Sequence, residues 1–158
     1  MKFIIGLGNP SSEYTDTWHN TGLLFVDNFP KIWGITTLKS NKFMNNSGEF
    51  VEEAVKKNNI DLQNLYIAHD DLDLALGSFK IQFGKGPKDH NGLKSIDGAL
   101  GTDKYWHVRI GVDNRPADNR IPGEEYVLQR YSDSEKQILE NTIKAACKKL
   151  IQIIDESH

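Results

Sequence analysis

Residues 4–22 constrain this chain more than any other stretch. They read Ile-Ile-Gly-Leu-Gly-Asn-Pro-Ser-Ser-Glu-Tyr-Thr-Asp-Thr-Trp-His-Asn-Thr-Gly. Residues 3–7 are apolar and partly β-branched, which predicts a buried central strand. Gly6, Gly8 and Pro10 then end the strand and turn the backbone. Asn9, Tyr14, His19 and Asn20 follow at once. Polar side chains just past the carboxyl end of a buried strand stand where α/β sheets bind their ligands. Gly6-Leu7-Gly8 is also half of a dinucleotide fingerprint. Its third glycine would fall at Ser11, however, and Pro10 interrupts the turn that should open a helix. A purely structural corner and a site loop carrying Asn9 and His19 are the two readings that remain.

The rest of the chain alternates strand and helix patterns. A helix is expected over 22–29, with Leu23, Leu24, Val26 and Phe29 facing a core and Pro30 stopping it. A short strand is expected at 35–39. A helix capped by Ser47 runs to Asn58 on Phe50, Val51, Ala54 and Val55. Residues 65–69 read as a buried strand, with Asp70-Asp71-Leu72-Asp73 following its end. Residues 77–83 alternate like a half-exposed strand. A helix over 93–100 ends at Gly101, and 106–112 is another strand. The longest helix spans 132–156, capped by Ser132 or Asp133. Its inner face carries Ile138, Leu139, Ile143, Ala146, Leu150 and Ile153–Ile154. This order predicts an α/β fold with a twisted, mixed but mostly parallel sheet flanked by helices. A length of 158 residues suits one domain, 1–158, around one core.

Composition narrows the function classes. No run approaches the ~20 apolar residues of a membrane span. The N-terminus enters a strand directly, without the layout of a signal peptide. The single cysteine, Cys147, rules out an internal disulfide and points to a reducing, cytoplasmic setting. A net charge of −3 does not mark a general nucleic-acid binder. Between residues 80 and 120, however, the cations Lys80, Lys85, Lys88, Lys94, Lys104, Arg109, Arg115 and Arg120 collect. They form either a local basic face or an ordinary solvated surface.

Four polar clusters each follow a strand or open a helix. They are Asn9 with Tyr14 and His19, Phe43-Met44-Asn45, His69 to Asp73, and His90-Asn91-Gly92. His69, Asp71 and Asp73 alternate as metal ligands can, but no companion Cys/His set accompanies them. One aspartate serves better as the partner of a histidine. A carboxylate that accepts an imidazole Nδ1–H fixes the tautomer and leaves Nε2 free to take a proton from water. A serine nucleophile has no Gly-x-Ser-x-Gly elbow here. Ser47 and Ser78 are explained by helix-start and strand contexts, and Cys147 lies inside a helix. A histidine-activated water is the more economical chemistry. Asparagines, with a donor and an acceptor each, suit an amide or ester substrate.

Five motifs follow one another in order: Gly-Leu-Gly-Asn-Pro-(x)3-Tyr-(x)4-His-Asn-x-Gly, Phe-Met-Asn-x-Ser-Gly, His-Asp-x-Leu-Asp, His-Asn-Gly-Leu-Lys and Val-Arg-Ile-Gly-Val. Together they resemble bacterial-type peptidyl-tRNA hydrolase over residues 3–131, with one gap. The resemblance implies hydrolysis of the ester joining a peptide to the 3′ end of tRNA, with no metal or organic cofactor and with a monomer acting on peptidyl-tRNA. It implies that His19 is the catalytic base and that Asp70 holds it. It assigns Asn9 to telling blocked from unblocked aminoacyl-tRNA. Asn45 and Asn91 would bind the 3′ end and peptide backbone. Tyr14 and Phe43 would contact the terminal nucleotides, and Met44 would wall the site. Lys80, Lys85, Lys88 and Arg109 would meet phosphates. The chain departs from the family in lacking roughly twenty residues, a strand and its loop, between the first helix and Phe43. Ser40 replaces a usual proline, the loop before His90 reads Gly-Lys-Gly-Pro-Lys-Asp, and Gln82 stands where a second basic residue is common. A non-catalytic RNA-binding relative of the same fold is the rival reading.

Overall fold

Strand β1 (Lys2–Gly6) is buried on both faces, and the two faces feed different cores. Phe3 and Ile5 point into one and Ile4 into the other, as the twofold period of a strand requires. The computed structural model describes residues 1–157. After β1 come helix α1 (Thr21–Asn28), strand β2 (Ile35–Lys39), helix α2 (Ser47–Asn58), and strands β3 (Leu65–Ala75) and β4 (Phe79–Phe83). Helix α3 (Asn91–Leu100), strand β5 (Trp106–Asp113), the short helix α4 (Gly123–Tyr126) and helix α5 (Asp133–Glu156) complete the chain.

The strands form one sheet in the order β2-β1-β3-β5-β4. Every pairing is parallel except that of β4 with β5. Helices α1 and α5 cover the face carrying Ile4, Tyr66, Ala68, Val108 and Ile110. Helices α2 and α3 cover the face carrying Phe3, Ile5, Leu65 and Ile67. This is the mixed, mostly parallel sheet flanked by helices that the alternation of patterns predicts. The chain leaves β1 toward β2 on one side, while β3 lies on the other. The crevice beyond the carboxyl ends of β1 and β3 is therefore a topological switch point, where such sheets place their ligands.

Several expectations are corrected. In α1 the inward residues are Gly22, Phe25 and Val26, whereas Leu23 and Leu24 are only half-buried. Ser47 is the first residue of α2 and not its cap. Its hydroxyl donates to the carbonyl of Met44. Gly77 and Ser78 form the turn before β4, with Gly77 at φ 99°. Strand β3 does not stop at His69. Pairing with β5 carries it through Asp71 opposite Gly111, then past an irregularity to Ala75 opposite Asp113. On α5, Ile138 is exposed, and Thr142 and Cys147 take inward positions instead. Ser132 caps this helix in a capping box with Glu135.

Packing explains the Gly-x-Gly corner: a Cβ on Gly8 would meet the Leu23 side chain at 2.5 Å, and Gly6 meets the start of α1. A Cβ on Gly6 would lie 2.3 Å from the carbonyl oxygen of Gly22, and one on Gly22 would lie 2.2 Å from that of Ala68. The start of α1 thus rests directly on the backbones of β1 and β3, which only two glycines allow. Gly22→Ala is expected to lose about 1–3 kcal/mol or more from overpacking. Gly98→Ala, on α3 with nothing within 4 Å of the added methyl, is expected to gain about 0.5–1 kcal/mol. Urea unfolding of the two variants checks both signs.

Candidate active site

His19 owes its position to neighbours on either side of it in the chain. Trp18 is buried, stacks on Tyr126 with centroids 5.5 Å apart, and meets Tyr131 edge-on at 5.2 Å. The backbone N–H groups of Trp18 and His19 donate to the carbonyls of Gln129 and Val127. Asn20 clips the preceding loop: its Oδ1 accepts from the Asn9 N–H at 2.7 Å and its Nδ2 donates to the Asn9 carbonyl at 3.0 Å. The His19 ring is thereby held against the middle of β3, just past the last residue that pairs with β1.

Asp70 is almost fully buried there and accepts from two imidazoles. Its Oδ2 lies 2.8 Å from His19 Nδ1, and its Oδ1 lies 2.9 Å from His90 Nε2. His90 Nδ1 in turn accepts from the N–H of Leu93 as the cap of α3, so His90 is the Nε2–H tautomer. Burial penalises the Asp70 charge, but His19 and His90 outweigh it and hold the carboxyl well below the usual carboxylate range. For His19, burial lowers the pKa, whereas the charge and hydrogen bond of Asp70 raise it. The balance lies above the ordinary value of 6.5. With Nδ1–H directed at Asp70, the neutral ring keeps its lone pair on Nε2.

These groups lie at a cleft of about 720 Å³. Asn9, Tyr14, His19, Phe43, Met44, Asn45, Asp70, Asn91 and Lys88 all line it. Asn9 Oδ1 accepts the N–H of Met44 at 2.7 Å, which leaves its Nδ2 donor for the cleft. Met44 is buried, with its sulfur packed beside Gly92. Tyr14 meets the exposed Phe43 edge-on at 6.4 Å. Lys80 and Lys85 are exposed but stand outside the cleft.

Arg109 is the clear correction. It is buried, its Nε donates to Asp71 at 2.7 Å and its Nη1 to Gln82 at 2.7 Å. Its charge is neutralised inside the fold and does not face solvent, where a phosphate would meet it. The alternation of His69, Asp71 and Asp73 makes no metal cradle either. His69 is bonded to the Asp70 carbonyl and to His107, and Asp71 to Arg109. Among the described residues, the group compact enough to hold a cation is His19, Asp70 and His90. Its ligand atoms are already joined by hydrogen bonds.

Two parts of the site escaped the sequence reading. His90 was visible as a cluster member without a role. The signal was its place two residues before a glycine at a helix start. Leu72 of β3 and a stretch without any motif, Arg115 and residues 122–128 around α4, complete the cleft wall.

The sequence profile of the peptidyl-tRNA hydrolase family matches residues 3–40 and 34–158, and the chain belongs to that family. The peptidyl-tRNA hydrolase of a Wolbachia of Drosophila simulans is 40% identical over 154 residues, covering 84% of this chain and 83% of its own length. That of Clostridium botulinum is 33% identical over 177 aligned positions, covering 99% and 91%. Among solved structures, peptidyl-tRNA hydrolase from Acinetobacter baumannii superposes with a TM-score of 0.85 at 28% identity, covering 99% of this chain and 90% of that one. The two matched segments overlap at residues 34–40, which contain β2. The departure from the family expected between the first helix and Phe43 includes this span. Here β2 is an edge strand, and Trp33 beside it is 98% exposed.

A prediction follows from the two innermost histidines. Burial lowers the pKa of His107 to about 4 and that of His69 well below 6.5. Both are neutral when folded and take protons near pH 6.5 when unfolded. Their contribution is therefore complete above pH 6.5 and is lost progressively below it. Each should add a slope of about 1.4 kcal/mol per pH unit on that side. Thermal melts between pH 7 and pH 4.5 should show the decline, and His107→Phe should flatten it.

Proposed function

We propose that the chain hydrolyses the ester between peptide and tRNA, with His19 as general base, Asp70 as its orienting partner and Asn9, Asn45 and Asn91 as holders of the substrate. The observation that supports this best is the 2.8 Å bond from His19 to a buried, ionised Asp70 at the cleft lined by all three asparagines. A water between His19 Nε2 and the ester carbonyl gives up a proton to the imidazole as its oxygen attacks. Asp70 stabilises the imidazolium that forms. The Nδ2 donor of Asn9 is free to meet the carbonyl oxygen as it gains charge. The ester C–O bond then breaks, and the imidazolium returns its proton to the departing ribose oxygen. This sequence needs no metal or organic cofactor.

The nucleic-acid end calls for different chemistry. Tyr14 and Phe43 offer ring faces on which unpaired bases can stack. Lys88 at the cleft, with Lys80 and Lys85 outside it, offers cations to phosphates without reading sequence. All groups of the proposed machinery come from one chain, which suits a monomer working in the cytoplasm beside the ribosome. No helix among the described residues is long and apolar enough to cross a membrane. The comparisons favour the hydrolase over a non-catalytic RNA-binding relative, and the intact His19–Asp70 pair points the same way.

His19→Ala should bind tRNA yet lose nearly all turnover of N-acetylaminoacyl-tRNA. Retained turnover would refute the assignment. Asp70→Asn should lower kcat by on the order of tenfold to ten-thousandfold. Because Asp70 raises His19 above 6.5, the acid limb of kcat/KM should lie above pH 6.5 in the parent protein. It should move below pH 6.5 in Asp70→Asn, where burial acts alone.

Cations that neutralise phosphates can be told from buried ones by salt. Each phosphate contact contributes a slope of about −0.7 to −0.9 to the dependence of log affinity on log salt. Lys88→Ala and Lys85→Ala should each reduce that slope. Arg109→Ala should instead cost about 3–5 kcal/mol of stability, since it strands Asp71 as an unpaired buried carboxylate. Filter binding at several salt concentrations, with urea unfolding alongside, separates the two behaviours.

A further inference from the structure

Strand alternation places His69, Asp71, His107 and Arg109 on one side of the sheet, beneath α3 and the loop before it. Asp71 and Arg109 satisfy each other. The two histidines are buried, absent from the cleft wall, and unused by the chemistry above. Their hydrogen bonds nevertheless run to Asp70, the partner of His19. His69 Nδ1 lies 2.9 Å from the main-chain carbonyl oxygen of Asp70, so Nδ1 carries a proton. A ring with no exposure stays neutral, so His69 Nε2 is a lone pair, and His107 Nδ1–H donates to it at 3.0 Å.

That carbonyl needs such a donor. The Leu7 N–H donates to the carbonyl of Ala68 across the last rung between β1 and β3. Two residues on, the carbonyl of Asp70 points to the same side. There β1 has already ended at Gly6, and the chain has turned away to carry Asn9. The departure of β1 opens the cleft and also removes the rung that would fix Asp70. His69 supplies the missing donor. His107 holds His69 from behind, and is itself stacked on Tyr105 at 4.6 Å, whose hydroxyl donates to Asp97 of α3.

We propose that His69 and His107 are positioning residues for the hydrolysis, a two-imidazole relay that fixes Asp70 through its main chain and so aims the carboxylate at His19. This rests on the reading of His19 and Asp70 given above. The groups that face the relay are Asp70 on β3, His90 at the start of α3, Asp103 before β5 and Arg109 on β5. Those that face His19 are Asp70 and His90.

The test uses two readouts. In His69→Leu, kcat on N-acetylaminoacyl-tRNA should fall by about tenfold to a hundredfold, the range seen when the support of a reacting group is removed, with KM within about twofold. NMR titration of His19, which needs no turnover, should show its midpoint moving down toward 6.5. His69→Asn places an amide N–H where Nδ1–H was and should restore most of both. His107→Phe keeps the stack on Tyr105 but removes the second donor. It should shift both readouts in the same direction by less, and it serves if His69→Leu does not fold. An unmoved His19 midpoint in either folded variant overturns the relay, as does a His69→Asn protein no better than His69→Leu. If the midpoint moves while a His19→Ala control retains turnover, the relay stands and the assignment of His19 as base fails.

Discussion

The site depends on one carboxylate that accepts two imidazole N–H groups out of reach of bulk water. Asp70 is ionised because His19 and His90 both donate to it. Removing either leaves a charged oxygen short of a partner in a buried setting, which costs far more than an exposed contact would contribute. The dependence runs in both directions. Asp70 keeps His19 in the tautomer that presents a basic nitrogen to the cleft, and His90 stays in the tautomer that also caps α3. One residue thus ties together the loop after β1, the middle of β3 and the start of α3.

Topology explains why such distant parts meet. β1 and β3 are neighbours, but the chain leaves β1 toward the opposite edge, so the space beyond their carboxyl ends is open. The glycines at 6 and 22 let α1 press onto both strands and bring His19 to that opening. Gly6 also belongs to the Gly6-Leu7-Gly8 run that invites a nucleotide-binding reading from sequence. The structure shows close packing instead, because what approaches Gly6 and Gly22 is protein backbone.

Much of this could be read from the residues. The apolar runs locate the strands, and the polar clusters after them are the cleft. Misreadings arise where neighbours decide the outcome. Asp70 and Asp71 are adjacent and chemically identical. Pairing with β5 continues the strand through both, so alternation sends one to His19 and the other to Arg109. No local pattern distinguishes them. Arg109 reads as one more cation in a basic stretch because its burial is a property of the sheet. The wall from Pro122 to Leu128 has no motif, since it supports Trp18 through the single ring of Tyr126 and His19 through the main-chain carbonyl of Val127.

The shortened edge can be weighed in the same terms. The strand that the resemblance implies is absent would stand beside β2, an edge strand in this sheet. Asp70, His19, Asn9 and Asn91 are held from β3, the loop after β1, the 127–129 backbone and the start of α3, and none of their hydrogen bonds passes through β2. The edge reaches the cleft only through Phe43, Met44 and Asn45. The Asn9 bond to the Met44 N–H and the packing of Met44 beside Gly92 fix that segment independently. Trp33 and the backbone edge of β2 are exposed, while the reacting groups are held elsewhere. Trimming outside β2 therefore leaves the hydrogen bonds of His19 and Asp70 intact. The same trimming next to β3 or β5 would remove the strands on which Asp70, His69 and His107 depend.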